Sequence, residues 1–209
     1  RVLRNDGILF VNIGDCYAGG GGITGVPADW KSISTSRREK YPEGDYDPKR
    51  DAAARGLKPK DLIGVPWELA FKLRDRGWYL RCDIVWSKPA PQPESCTDRP
   101  TKAHEYVFML SKEPHYFSDM DAVREPIPDS MKGKTTVGGN RRSVWTISTR
   151  GYKGEHTAVF PPELPEICIK AGTSEYGACK TCGAAWKRKV ERTRPAGWKD
   201  EGPTTPGAI

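Results

Sequence analysis

Ile8-Leu9-Phe10-Val11-Asn12-Ile13, closed by Gly14-Asp15, is an apolar run interrupted by one polar residue. A run of that length without alternation is what a strand buried on both faces requires, as in the middle of a mostly parallel sheet covered by helices. Asp15 then stands at the carboxyl end of the strand, where open α/β sheets bind ligands. It is a candidate residue of the active cleft, with a strand-end turn or helix N-cap as the competing role. Ahead of the run, Arg1-Val2-Leu3-Arg4-Asn5-Asp6-Gly7 reads as the last turn of a helix, basic near its end and stopped by Gly7.

Working outward, Leu62, Val65, Leu69 and Leu73 recur at helical spacing between Asp61 and Arg76, with Gly77 as the stop. Trp78 to Trp86 alternates like a strand with one wet face, the proline-rich Lys88 to Pro93 interrupts it, and His104 to Leu110 reads as the next strand. A helix between two strands predicts an α/β architecture. Val144-Trp145-Thr146-Ile147 follows as a short apolar segment, and Pro161 to Ala171 resumes helix, with Pro165 as its proper start. Between these elements lie long polar stretches. The first, 16–60, contains Gly19-Gly20-Gly21-Gly22 and many charged residues, and reads as a flexible insertion, either solvated or a DNA-contacting loop that orders on binding. Its glycine run is no phosphate loop, because no Gly-Lys-Ser/Thr ends it.

The 209 residues carry 34 Lys+Arg against 27 Asp+Glu, a net charge of +7, which suits a polyanionic partner. A hydrophobic fraction of 36% is low for a globular chain, yet seven Trp, eight Tyr and five Phe exclude a wholly disordered one. Nowhere do eighteen apolar residues run together, and the first residues do not open like a secretory signal, so the expectation is a soluble, cytoplasmic protein without a membrane partner. Six scattered cysteines argue against a disulfide framework. Only Cys179 and Cys182, in Cys179-Lys180-Thr181-Cys182-Gly183, have a spacing with a known use, that of half a zinc knuckle. Tetrahedral zinc needs four ligands. His156 or Cys168 could add one, although Cys168 sits in an apolar helix and reads as core, so these residues are expected to bind zinc weakly or not at all.

Five segments, in this order, resemble the amino-group DNA methyltransferases of the DNA methylase N-4/N-6 family in its circularly permuted β arrangement. They are Arg1 to Asp15; Leu62-Ile63-Gly64-Val65-Pro66-Trp67 through Gly77-Trp78 to Lys88-Pro89; Thr97-Asp98-Arg99-Pro100-Thr101-Lys102-Ala103-His104-Glu105-Tyr106-Val107-Phe108; Ser143-Val144-Trp145-Thr146; and His156-Thr157-Ala158-Val159-Phe160-Pro161-Pro162-Glu163-Leu164. Each alone is a weak match; the ordered set is specific and runs from Arg1 to about Trp186. The resemblance implies a partial Rossmann-like, S-adenosylmethionine-dependent methyltransferase sheet with long loops and a half zinc-knuckle. It implies methyl transfer to the exocyclic amino group of a base rotated out of double-stranded DNA. It also implies roles: Thr97, Arg99, Thr101, His104 and Glu105 along the base pocket, and His156, Phe160 and Pro161 beside the cofactor. Lys88, Arg141, Arg142 and Arg150 are candidate DNA contacts, the last three within a target-recognition region at 113–153.

Two of the family's motifs are absent from these 209 residues: the Ser/Asp/Asn-Pro-Pro-Tyr/Phe tetrapeptide that accepts hydrogen bonds from the amino group, and the Phe-x-Gly-x-Gly loop that cradles the cofactor. The expectation is therefore an interior piece of a longer enzyme, inactive alone, with a partial catalytic domain over 1–172 and a truncated zinc-knuckle-like insertion and tail over 173–209. Relatives with the Thr97 to Phe108 wording carry the Ser-Pro-Pro-Tyr form, which tilts the target toward cytosine N4 over adenine N6. A cognate restriction endonuclease is an expected companion. The rival reading is a non-catalytic basic DNA-binding protein with a zinc knuckle.

Overall fold

Alternation in Tyr79–Ser87 translates directly into burial: Leu80, Cys82, Ile84 and Trp86 turn inward while Tyr79, Arg81 and Asp83 face water. This strand, β2, belongs to a computed structural model that describes residues 2–18, 56–127, 129–132, 138–151 and 159–190. Most of the 16–60 insertion, together with His156, Lys134, Lys153 and the tail from 191, lies outside the described residues. The elements are β1 (Ile8–Ile13), α1 (Val65–Asp75), β2, β3 (His104–Ser111), β4 (Val144–Thr146) and α2 (Glu163–Gly172), with 3-10 turns at Met120–Val123 and Asp129–Met131. They fall into two compact units, Ile13–Asp75 and Arg1–Asn12 joined by Arg76–Ile209.

The larger unit holds a four-stranded sheet in the order β1-β3-β2-β4. β3 returns antiparallel to β2, with Ser87 opposite His104 and Tyr79 opposite Ser111, and β4 lies parallel to β2 with Trp86 opposite Trp145. The expected α/β class is observed, but the sheet is mixed and not mostly parallel. The strand buried on both faces is β3, whose Val107, Phe108, Leu110 and Ser111 are almost fully covered. β1 is half-buried along its whole length, contrary to its continuous apolar pattern. The reason is position: β3 is flanked by two strands, whereas β1 is an edge of this sheet.

On one face Ile84, Trp86, Val107, Met109 and Trp145 pack with Leu164 of α2, and Ile8, Phe10, Ile167 and Cys168 close around them. Cys168 is thus core, as read. α2 starts at Glu163 and not at Pro165; Pro165 occupies the third helical position, where a missing N–H breaks no hydrogen bond. At the far end a Cβ on Gly172 would stand 3.3 Å from the Phe10 ring, so glycine lets α2 close onto β1. Residues 2–7 form a turn closed by Gly7 N–H on the Arg4 carbonyl (3.2 Å), which replaces the helix end expected there. Arg4, a cation before a glycine, pairs here with Asp6 (2.8 Å).

In the smaller unit α1 begins three residues later than its apolar spacing suggested and buries Pro66 and Ala70, with Leu69 and Leu73 half-covered. Leu62 is exposed and pairs by its backbone with Tyr17. Around that pair, Ala18 N–H donates to Asp61 O (2.8 Å), Lys60 N–H to Ala18 O (3.1 Å) and Ile63 N–H to Cys16 O (3.0 Å). The two ends of the 16–60 stretch are therefore hydrogen-bonded to each other. Gly77, at φ +92°, follows α1 as the predicted stop.

Leu110 is 0% exposed in the central strand, so Leu110→Ala should lower stability by about 2–5 kcal/mol in urea unfolding. Ile8→Ala, in the half-buried edge strand, should cost clearly less; equal losses would contradict the strand order.

Candidate functional site

The carboxyl ends of β1, β2 and β4 and the start of β3 meet at one margin of the sheet, the location at which open α/β sheets offer ligand sites. There the Asn12 carboxamide donates to Glu105 Oε2 (3.0 Å) and to the Tyr106 carbonyl (3.2 Å). Lys88 pairs with the other oxygen of Glu105 while its ammonium sits 4.5 Å from the centre of the Trp86 ring. Both charged side chains are mostly withdrawn from water, Glu105 26% and Lys88 20% exposed, so the pair is stronger than a surface ion pair. A carboxylate offers about four lone-pair sites, and two are used here, one on each oxygen. On the opposite face of β3, His104, Tyr106 and Phe108 form an aromatic row, edge-on at 5.4 Å and then stacked at 5.7 Å.

Of the five base-pocket candidates, the structure brings His104 and Glu105 to this margin together with Lys88. Thr97 and Thr101 are exposed on the connection between β2 and β3, and Arg99 is clamped there by Glu94 (2.7 Å), which also accepts from Lys102 N–H (3.1 Å). That clamp holds the Glu94 carboxyl below its usual range, chiefly through Arg99. Asn12 was missed by sequence reasoning. Its only signal was being the lone polar residue in an apolar run. Lys88, a candidate DNA contact, is engaged by Glu105.

The other candidate DNA contacts are also paired. Arg142 donates through its backbone and side chain to Glu125 (3.0 and 2.7 Å), with the backbone contact the main reason that the Glu125 carboxyl is held low. Gly138 makes this arrangement possible, because a Cβ there would lie 1.9 Å from the Glu125 carbonyl oxygen. Arg150 pairs with Glu163, and the Arg141 guanidinium stacks 5.5 Å from the centre of Trp145. Arg141 and Glu163 line a groove of about 470 Å³ with Thr146, Ser148, Arg150 and Glu166. Two atoms among these residues, Arg141 Nε and Glu163 Oε2, are buried with no hydrogen-bond partner among the described residues. An unsatisfied donor and acceptor each cost about 1–3 kcal/mol. Phe160, ahead of α2, is half-exposed while Pro161 beside it is buried.

Asp15, in the smaller unit, has one carboxylate oxygen accepting from the backbone of Cys16 (2.9 Å), Gly64 (3.0 Å) and Val65 (3.1 Å). Within this unit it ties the Asp15-Cys16 turn to the start of α1.

A DNA methylase family profile matches residues 1–179. The chain belongs to the N6/N4 DNA methylase family. It is 45% identical over 177 residues to the Type II methyltransferase M.SmaI of Serratia marcescens, covering 85% of this chain and 56% of that protein. Similarity to M.Cfr9I of Citrobacter freundii is 47% over 180 residues, with 83% and 52% covered, and to M.XycI of Xanthomonas campestris pv. cyanopsidis 46% over 175, with 83% and 52% covered. The chain thus spans about half the length of the curated relatives it matches.

In this member of the family the two spaced cysteines form a tight hairpin. Cys179 N–H donates to Ala184 O and Gly183 N–H to Cys179 O, both at 2.8 Å, with Gly183 at φ +72°. Backbone N–H groups of Cys182 and Thr181 aim at the Cys179 sulfur and hold its thiol below the usual range, whereas burial pushes Cys168 up to about 11. Among the described residues no three side chains of metal-ligating type cluster, so two thiols do not by themselves fit a tetrahedral zinc. No helix of the described residues is long and apolar enough to cross a membrane. At about pH 8 a thiol near 11 is ionised to roughly one part in a thousand, so iodoacetamide should label Cys179, whose thiol is held below its usual range, well before Cys168. Peptide mass spectrometry checks the order; faster labelling of Cys168 would refute it.

Proposed function

We propose that the chain is the base-side part of a DNA methyltransferase acting on an exocyclic amino group, with cytosine N4 preferred to adenine N6. The observation that carries this reading is the coincidence of family membership with the half-buried Asn12–Glu105–Lys88 network at the carboxyl margin of the sheet. An aromatic amine has its lone pair delocalised into the ring and attacks poorly. Acceptors that hold its hydrogens and fix the nitrogen in line are worth more than any proton transfer, because positioning and preorganised electrostatics supply most of the barrier reduction. The unused lone pairs of Glu105, held by Asn12 and Lys88, suit that positioning for an extruded base. Fixing Glu105 from two sides also keeps its orientation when water is expelled.

The cofactor of the reading is S-adenosylmethionine, which supplies the methyl group on a sulfonium. The groove lined by Arg141, Arg150 and Glu163 fits such a molecule in kind: Arg141 Nε and Glu163 Oε2, without hydrogen-bond partners among the described residues, are a donor and an acceptor that a zwitterionic amino-acid end would satisfy. Arg141, Glu163 and Phe160 are the residues that would hold it. Double-stranded DNA is the partner, with a cognate restriction endonuclease as companion, a reading supported by relatives named Type II methyltransferases. A zinc in the complete protein would need two ligands beyond Cys179 and Cys182.

Two results are expected. The 209 residues alone, lacking the Pro-Pro tetrapeptide, should incorporate no methyl label into duplex DNA. DNA treated with the enzyme encoded by the complete reading frame should yield N4-methylcytosine on nucleoside analysis. N6-methyladenine would move the target base, and bound DNA without any methylated nucleoside would favour a non-catalytic binder.

A further inference from the structure

The hairpin after α2 carries features that neither the core nor the candidate pocket uses. Over 174–190 four cations, Lys180, Lys187, Arg188 and Lys189, stand against one acid, Glu175. Arg188 is spent on anchoring: it pairs with Asp119 (3.2 Å) and Glu175 (2.5 Å) and lies 5.8 Å from the centre of the Tyr176 ring. Asp119 is 8% exposed and caps the Met120–Val123 turn, so this contact fastens the hairpin to the body of the larger unit. Backbone bonds from Trp186 N–H to Gly177 O (3.0 Å) and from Ser174 Oγ to Trp186 O (2.6 Å) keep its arms together.

What this rigid mount presents is unusual. Tyr176 is 60% and Trp186 56% exposed. Trp186 stands opposite Gly177, which has no side chain to cover it. Lys180, Lys187 and Lys189 are exposed, and among the described residues none has an acidic partner. Large aromatics left in water beside unpaired lysines, on a mount that has already lost its chain entropy, match what a nucleic-acid strand offers: a phosphate row for the cations and faces or sugars for the rings.

We propose that this hairpin is a second DNA contact, in which Lys180, Lys187 and Lys189 meet phosphates and Trp186 packs against a nucleotide flanking the target. The proposal rests on the DNA reading above and adds a surface outside the base pocket and the 113–153 region. Each phosphate neutralised contributes about 0.9 to the salt slope on duplex DNA.

The test is fluorescence anisotropy of the 209-residue chain with a labelled duplex over a range of salt. Combining Lys180→Gln, Lys187→Gln and Lys189→Gln should weaken binding at low salt by at least roughly tenfold and flatten the log–log slope by about 2 to 3. Trp186→Ala should weaken binding roughly tenfold at unchanged slope, because it removes packing and no charge. Both variants change exposed side chains, so their melting temperatures should match the parent, and circular dichroism checks that. If the parent binds and the lysine variant keeps its slope, the hairpin proposal falls while the DNA reading stands. If the parent binds no duplex at any salt, both fall. Loss of binding to phosphatidylserine vesicles with DNA binding intact would assign the surface to a membrane and overturn the proposal.

Discussion

Insertion of β3 between β1 and β2 is the constraint on which the larger unit depends. A strand flanked on both sides must satisfy its backbone through its neighbours and bury side chains on two faces, and Val107 to Leu110 do so. The same insertion brings the start of β3 to the carboxyl ends of β1 and β2. Glu105 then meets Asn12 and Lys88, residues that are 93 and 17 positions away in the chain. Fold and candidate site are one arrangement: a shift of β3 by one residue would send Glu105 to the other face and the ring of His104 or Tyr106 into its place.

Much of this was legible in the sequence, and the limits have physical causes. Period-two alternation located β2, and Gly77 marked the end of α1, because both signals are local. Two continuous apolar runs, Ile8 to Ile13 and Val107 to Leu110, look equally suited to a doubly buried strand, and only strand order separates them. Strand order is a long-range property that no local period encodes. The turn at Arg4 to Gly7 was misread because cations before a glycine mark helix ends and simple turns alike.

The site was legible in part for a related reason. His104 and Glu105 were found through the family wording, and Lys88 was singled out, but as a phosphate ligand. Its pairing with Glu105 follows from the register of β2 on β3, which places Ser87 opposite His104. Asn12 carried no charge and no motif, so its part in holding Glu105 emerges only from geometry. Likewise Arg142 and Arg150 read as candidate DNA contacts in a basic stretch, and their carboxylate partners, Glu125 and Glu163, lie 17 and 13 residues away.

The central claim is that Glu105, oriented by Asn12, positions the amino group of the target base. The most direct measurement compares single-turnover methyl transfer and duplex affinity for the enzyme encoded by the complete reading frame, with and without Glu105→Ala. The account predicts a transfer rate lower by about a hundredfold, the scale of losing reactant positioning, with DNA affinity changed little. An unchanged transfer rate, or a loss confined to DNA binding, would contradict it.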